Sequence, residues 1–230
     1  MSTAVAIVVF PGSNCERDCV RAFASLGATP ETVWHARSTL PRADLVVLPG
    51  GFAHGDYLRT GALARFSPIM EAVRAHARDG GLVVGICNGF QILCEAGMLP
   101  GALKKNAGLK FLCKWTRLRV ETVSTPFTAG AEPGRVLRMP INHFEGNWYC
   151  DTGELARLQA NDQIVLRYVD NPNGSLDDVA AVVNEERTVF GLMPHPERAC
   201  EALLGSSDGD VLLSSMLARA GLATTVPSRR

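Results

Sequence analysis

Cys87 stands in the string Gly85-Ile86-Cys87-Asn88-Gly89, between the apolar run "LVVGI" (82–86) and a segment with helical spacing. A nucleophile presented on a tight strand-to-helix turn needs small neighbours, because the backbone is strained there and substrate must come close. A glycine two residues to either side supplies them. The placement puts the sulfur at a helix N-terminus, where the macrodipole and free N–H groups favour thiolate. The Asn88 N–H would point at an oxyanion formed on a substrate carbonyl. The pentapeptide alone fits a small buried thiol equally well, so a base has to be found elsewhere.

Of five histidines, His195 is set apart by its surroundings, "MPHPERA". Pro194 and Pro196 each bias the preceding residue toward extended backbone. In an extended segment residues i and i+2 share a face, so Glu197 falls beside His195 and can orient its imidazole. Nucleophile, base and orienter then form a triad with cysteine as the attacking group. His76 lies on a helix-type segment and reads as a solvated surface residue. "LPGGF" (48–52) adds a strand ending in glycines, whose main chain can approach a ligand as the second half of an oxyanion hole requires.

These residues need a frame in which strand ends meet. The first hundred residues alternate apolar β-type runs ("AVAIVVF", "ETVWHA", "ADLVVLPGG", "LVVGI") with helix-type segments, the pattern of an α/β protein with a mainly parallel central sheet and helices on both faces, three layers in all. Ser13 and Glu16 have capping-box spacing, which predicts a helix from about residue 14 to Leu26. Ser67-Pro68 predicts an N-cap before "IMEAVRAHARDGG". From Leu109 to Gly191 shorter β-type runs follow, extra strands separated by turn signals such as Asn171-Pro172-Asn173-Gly174. A closing helix is expected over "DGDVLLSSMLARAG", and residues 222–230 read as a tail. No repeat or linker divides the chain, so 1–230 is read as one domain.

Composition narrows the chemistry. Lysines and arginines number 23 against 23 acids, without the basic excess of a nucleic-acid binder. No run reaches the ~18 apolar residues of a membrane span, and residues 4–10 lack the basic flank of a signal peptide. Seven cysteines without a CxxC pair suggest reduced thiols in the cytoplasm and no metal site. Cys15 and Cys19, one helical turn apart, read as packing. No P-loop string places ATP in this chain.

"GICNGFQIL" and "PHPE" resemble the nucleophile elbow and the His-Glu pair of the class I (triad) glutamine amidotransferases. The longer strings "FPGSNCERD", "GDYLRTGALA", "YVDNPNGS" and "GLMPHPERA" resemble a purine-synthesis branch of that family, over about residues 4–220. The resemblance implies a flavodoxin-like core and hydrolysis of L-glutamine to glutamate and ammonia. It also implies delivery of the ammonia to a large ATP-dependent synthetase subunit, which holds ATP and magnesium and works with a small accessory subunit. Carried over, Cys87 is nucleophile, His195 base and acid, and Glu197 its orienter. The main chain of Gly51 and Asn88 forms the oxyanion hole, and Gln91 and Phe52 meet the substrate. One departure is "PINHFEG" (140–146), where Phe144 replaces a family glycine and the role of His143 is left open.

Two other functions share the elbow. A cysteine hydrolase acting on peptides or γ-glutamyl compounds needs no synthetase, and a non-catalytic thiol sensor needs no base; a glutaminase assay with and without a partner separates all three. All four lysines (Lys104, Lys105, Lys110, Lys114) fall between Ala96 and Val120, a stretch without an acid. With Arg117 and Arg119 they mark residues 104–119; this segment and the "GDYLRTG" loop are expected at the partner contact, and a site completed on docking would keep ammonia from being wasted in solvent.

Overall fold

The computed structural model describes residues 2–223. The first half runs β1 (Ala4–Val9), α1 (Glu16–Ser25), β2 (Thr29–Trp34), β3 (Leu45–Leu48), α2 (Ile69–Arg78), β4 (Leu82–Ile86) and α3 (Asn88–Glu95). The second half runs β5 (Ala102–Lys104), β6 (Leu112–Val120), β7 (Val136–His143), β8 (Asn147–Tyr149), α4 (Thr152–Ala160), β9 (Ile164–Tyr168), β10 (Val179–Val183), β11 (Val189–Leu192) and α5 (Gly209–Ala223). Of the tail expected at 222–230, residues 224–230 lie outside the described residues.

Nine strands form one sheet in the order β2-β1-β3-β4-β11-β10-β9-β6-β7, and β5 pairs with β8 separately. The strands from β2 to β11 pair in parallel; from β11 to β7 the pairings are antiparallel. β3 and β4 are buried at every residue, the unbroken apolar pattern of strands covered on both faces. β2 is the edge and mostly exposed, which is where a strand tolerates a residue such as Pro30. β7 instead alternates exposed and buried over "VLRM", as a half-buried strand must. The run 178–193 folds as a hairpin: Asn184 Oδ1 accepts from the N–H groups of Thr188 and Val189, turning β10 back into β11. That turn carries β11 into the sheet interior beside β4, which decides where His195 ends up.

Two local expectations fail for a shared reason. Ser13 does not cap α1; its Oγ accepts from Phe10 N–H at 3.0 Å, and Cys15 takes the cap position without a side-chain bond. Ser67 likewise does not cap α2, because its hydroxyl pairs with His35 Nδ1 at 2.9 Å. Each hydroxyl is taken by a competing partner before the helix can use it. His76 is half-buried rather than solvated, with its ring lying over Gly81 so closely that a Cβ there would come within 2.3 Å of Nε2. Burial lowers its pKa accordingly.

Candidate active site

Three parallel strands in adjacent positions, β3, β4 and β11, end side by side. Leu48 pairs with Gly85, and Ile86 with Leu192. Chain leaving these ends supplies Gly50-Gly51, Cys87 and His195 respectively, at the carboxyl edge where open α/β sheets bind ligands. Cys87 N–H donates to Leu192 O at 2.8 Å and His195 N–H to Pro140 O at 2.9 Å, so sheet hydrogen bonds fix both turns.

Cys87 has φ 52° and ψ −106°, a left-handed conformation that costs a non-glycine residue about 1–3 kcal/mol and persists where the surroundings enforce it. The flanking glycines explain the enforcement. A Cβ on Gly89 would sit 1.9 Å from Leu48 O, and one on Gly85 would sit 2.6 Å from the Gly89 backbone. The turn is therefore pressed against β3 with no room for side chains. Cys87 is buried and its Sγ contacts Asn142 O at 3.6 Å. Asn88 opens α3, so its N–H has no acceptor within the helix. Gly51 has φ 151° and lies between the bonds Asn14 N–H to Gly50 O and Phe52 N–H to Gly12 O, a pairing that does not use its own N–H.

His195 is extended (φ −105°, ψ 90°), but Pro196–Arg198 curls into a 3₁₀ turn instead of continuing the strand. The turn brings Glu197 back, with Oε1 at 2.6 Å from His195 Nδ1. The pairing expected from the sequence is present, made by a turn rather than by strand alternation. Both side chains are almost wholly buried. Burial alone would lower the histidine pKa; the Glu197 carboxylate, with smaller contributions from Cys87 and Cys15, holds it well above the ordinary value. With Nδ1 committed to Glu197, Nε2 is buried without a conventional hydrogen bond.

Beside Cys87 lies a cleft of about 120 Å³ bordered by Gly51, Phe52, Asp56, Gln91, Phe144 and Glu145, among others. Gln91 borders this space with its amide held at both ends. Its Oε1 accepts from Asn88 Nδ2 at 2.9 Å, and its Nε2 donates to Glu145 O. Asn88 Oδ1 in turn accepts from Ala53 N–H at 3.0 Å, so the two side chains join the elbow, the glycine turn and the 140–146 loop. Phe52 is half-exposed at the cleft edge. Two acids face the same space: Glu145 Oε2 accepts from Thr60 Oγ1 at 3.0 Å, and Asp56 is pushed up to about 6 by burial and by the Glu145 charge.

Phe144 keeps the loop in place through its main chain, its carbonyl accepting from Asn106 N–H at 2.9 Å. Asn106 Nδ2 donates to the carbonyls of Lys110 and His143, which leaves its Oδ1 to accept from His143 Nδ1 and from Gly146 N–H, each at 3.1 Å. His143 is thus neutral with its proton on Nδ1; burial and the His195 charge lower its pKa to about 3. Asn106 carries no spacing signal in the sequence and was missed.

Cys15, expected as packing, also touches the catalytic pair. Its Sγ, a ring nitrogen of His195 and a carboxylate oxygen of Glu197 all lie within 4.8 Å of one another, the one such trio of His, Cys and acid donors among the described residues. Arg198 Nη2 also donates to that sulfur at 3.0 Å. A guanidinium there, and a histidine already bonded to its acid, make the trio a poor cation site. Cys19, by contrast, is fully buried core on α1.

Comparison with known proteins gives the family. A family model described as the CobB/CobQ-like glutamine amidotransferase domain matches residues 2–211. The phosphoribosylformylglycinamidine synthase subunit PurQ of Rubrobacter xylanophilus is 55% identical over 216 residues, covering 94% of this chain and 98% of that protein. The subunit of the same name from Koribacter versatilis is 52% identical over 221 residues, covering 92% and 96%. Among solved structures, a chain of PurLQS from Thermotoga maritima superposes with a TM-score of 0.88 at 44% identity, over 95% of this chain and 99% of that one. With relatives this similar along nearly its whole length, the chain belongs to the CobB/CobQ-like glutamine amidotransferases, in their phosphoribosylformylglycinamidine synthase subunit PurQ branch.

Proposed function

We propose that this chain is the glutaminase subunit of phosphoribosylformylglycinamidine synthase, a single amidotransferase domain that supplies ammonia to a separate ATP-dependent synthetase subunit. The observation that carries the reading is a strained Cys87 at the end of β4 with a buried His195–Glu197 pair at the end of β11, beside one cleft.

The chemistry follows from the arrangement. Cys87 thiolate attacks the side-chain carbonyl carbon of L-glutamine, and the carbonyl oxygen takes the negative charge, met by the N–H groups of Gly51 and Asn88. His195 gives its proton to the leaving nitrogen; the C–N bond breaks, ammonia departs, and a γ-glutamyl thioester remains on Cys87. His195 then removes a proton from water as it attacks the thioester, the C–S bond breaks, and glutamate leaves with the Cys87 thiolate and the His195 imidazolium restored. Glu197 holds the tautomer and stabilises the imidazolium. Asp56 and Glu145 receive the substrate's α-ammonium group, and Phe52 covers the cleft edge. Gln91 borders the cleft and meets the substrate's amino-acid end, while its Nε2 also braces the loop that carries Glu145.

The second substrate and the nucleotide belong to the partner: the synthetase, with a small accessory subunit, converts formylglycinamide ribonucleotide to formylglycinamidine ribonucleotide using ATP and magnesium. The match to a chain of the Thermotoga PurLQS assembly supports this partnership. Its docking surface is assigned to the loop bearing Tyr57 and Leu58, both largely exposed, and to the lysines of 104–110. The loop has positive φ at His54, Asp56 and Leu58 and carries Asp56 into the cleft, so a partner docked there bears on the ammonium site. No helix among the described residues is long and apolar enough to cross a membrane, and the cytoplasm is the proposed location.

The test is the assembled complex with Cys87→Ala. Glutamine-dependent synthesis should vanish while synthesis from added ammonium salt continues. Loss of both in a correctly assembled complex would overturn the division of labour.

A further inference from the structure

We propose that Cys15 is a positioning residue for the His195–Glu197 pair, holding the imidazole from outside the substrate cleft. The proposal rests on the glutaminase reading above.

Cys15 begins α1, and its N–H and that of Asn14 both donate to Gly50 O, at 3.2 and 3.3 Å. The start of the helix is thereby tied to the glycine turn that follows β3. Gly50 makes the next contact possible: a Cβ there would fall 2.9 Å from both Cys15 Sγ and His195 Cε1. Without a side chain at 50, the buried sulfur and the ring edge share that space.

The sulfur is itself held. Arg198 Nη2 donates to it at 3.0 Å, while Arg198 Nε donates to Asp18 Oδ2 at 3.0 Å, one turn into α1. Asn14 Oδ1 lies 3.1 Å from the same sulfur. The first turn of α1 therefore grips the 195–198 turn at two points, a sulfur and a carboxylate. Nothing in the triad itself does this, since Glu197 fixes only the Nδ1 edge of the ring. Glu197 Oε2 is buried without a hydrogen-bond partner, and a carboxylate oxygen of Glu197 lies within 4.8 Å of Cys15 Sγ.

Sulfur suits the role. It is large enough to limit ring rotation, and while it accepts from Arg198 its interaction with the His195 ring favours the imidazolium. Burial raises the Cys15 thiol pKa, so it stays protonated and does not act as a second nucleophile. A reacting group displaced by about 1 Å costs on the order of 100-fold in rate, which is the scale of what a loosened imidazole would lose.

The experiment compares Cys15→Ala, Cys15→Ser and Arg198→Lys in the chain assembled with its synthetase subunits. Cys15→Ala should lower kcat for glutamine hydrolysis by about 10-fold to 100-fold with KM unchanged, and Cys15→Ser should restore most of it. Simple packing predicts the reverse order, because serine buries an extra hydroxyl where alanine does not. Arg198→Lys should fall between Cys15→Ser and Cys15→Ala. In parallel, NMR of nitrogen-labelled histidine should show the His195 titration shifted in Cys15→Ala, a readout that needs no turnover. Unchanged kcat and an unmoved His195 titration in Cys15→Ala would overturn the proposal. If the unsubstituted complex released no glutamate, the glutaminase reading would fail instead, and the NMR comparison would still decide whether Cys15 orients the ring.

Discussion

Glu197→Gln isolates what the buried carboxylate does for His195. The substitution keeps size and shape, and a glutamine Oε1 can still accept from Nδ1, so orientation is largely retained while the charge is lost. A hydrogen bond to a charged group contributes about 1.5–3 kcal/mol, which at ~1.4 kcal/mol per tenfold is roughly 10-fold to 150-fold in kcat. The 2.6 Å contact between two side chains without solvent access argues for the upper part of that range. The pH dependence has a definite sign. Burial pulls the His195 pKa down and Glu197 pulls it up, so removing the carboxylate lets burial prevail and moves the basic limb of kcat/KM to lower pH. Stability follows the same linkage. A histidine with a raised folded pKa contributes stability that is full below its unfolded value of ~6.5 and is lost as pH rises through the folded value. The melting-temperature gap between the two proteins should therefore be widest on the acid side. The assay is glutamate release by the assembled complex across pH, with thermal unfolding alongside. A kcat within twofold of the parent and an unmoved basic limb would refute the reasoning.

With Asp56 at about 6 in the free site, KM for glutamine should rise as pH falls through 6, because the protonated acid no longer attracts the α-ammonium. Asp56→Asn should raise KM by about 10-fold at neutral pH, from the loss of one charged hydrogen bond, and flatten that dependence. A KM equal to the parent's across pH would remove Asp56 from the substrate site. At the docking surface, charge reversal at Lys104, Lys105 and Lys110 should weaken assembly measured by sedimentation, more at low salt than at high. Unchanged assembly at low salt would exclude these lysines from the contact.

How legible the site was depended on how local its signals were. Cys87 stands out because an elbow pressed against β3 leaves no room for side chains two residues to either side, and Gly85 and Gly89 lie against backbone there. His195 and Glu197 were found because prolines leave a short segment few conformations, although the turn that joins them was misjudged. Strand ends and their glycines were visible in the apolar runs of β3 and β4. Cys15 was not, since Arg198 and Cys15 meet across 183 residues and no periodicity links them. Gln91 was placed by resemblance, and its engagement with Asn88 and the 140–146 loop could not be read from a helix position. The small β5–β8 pair and α4 were passed over. Yet the start of α4 was readable in Asp151 and Glu154, where Asp151 Oδ1 accepts from Glu154 N–H at 2.8 Å as a cap. Ser13 showed the same spacing and misled, because a nearer backbone donor had claimed its hydroxyl.

Covalent catalysis by one sulfur is the core of the proposed mechanism. The most direct measurement is acid quenching of the complex during turnover with labelled glutamine, followed by mass spectrometry of its peptides. A γ-glutamyl adduct on the Cys87 peptide, absent in Cys87→Ala and strongly reduced in His195→Ala, where no acid protonates the leaving nitrogen, is the predicted result. An adduct on Cys15, or full turnover by Cys87→Ala, would contradict it.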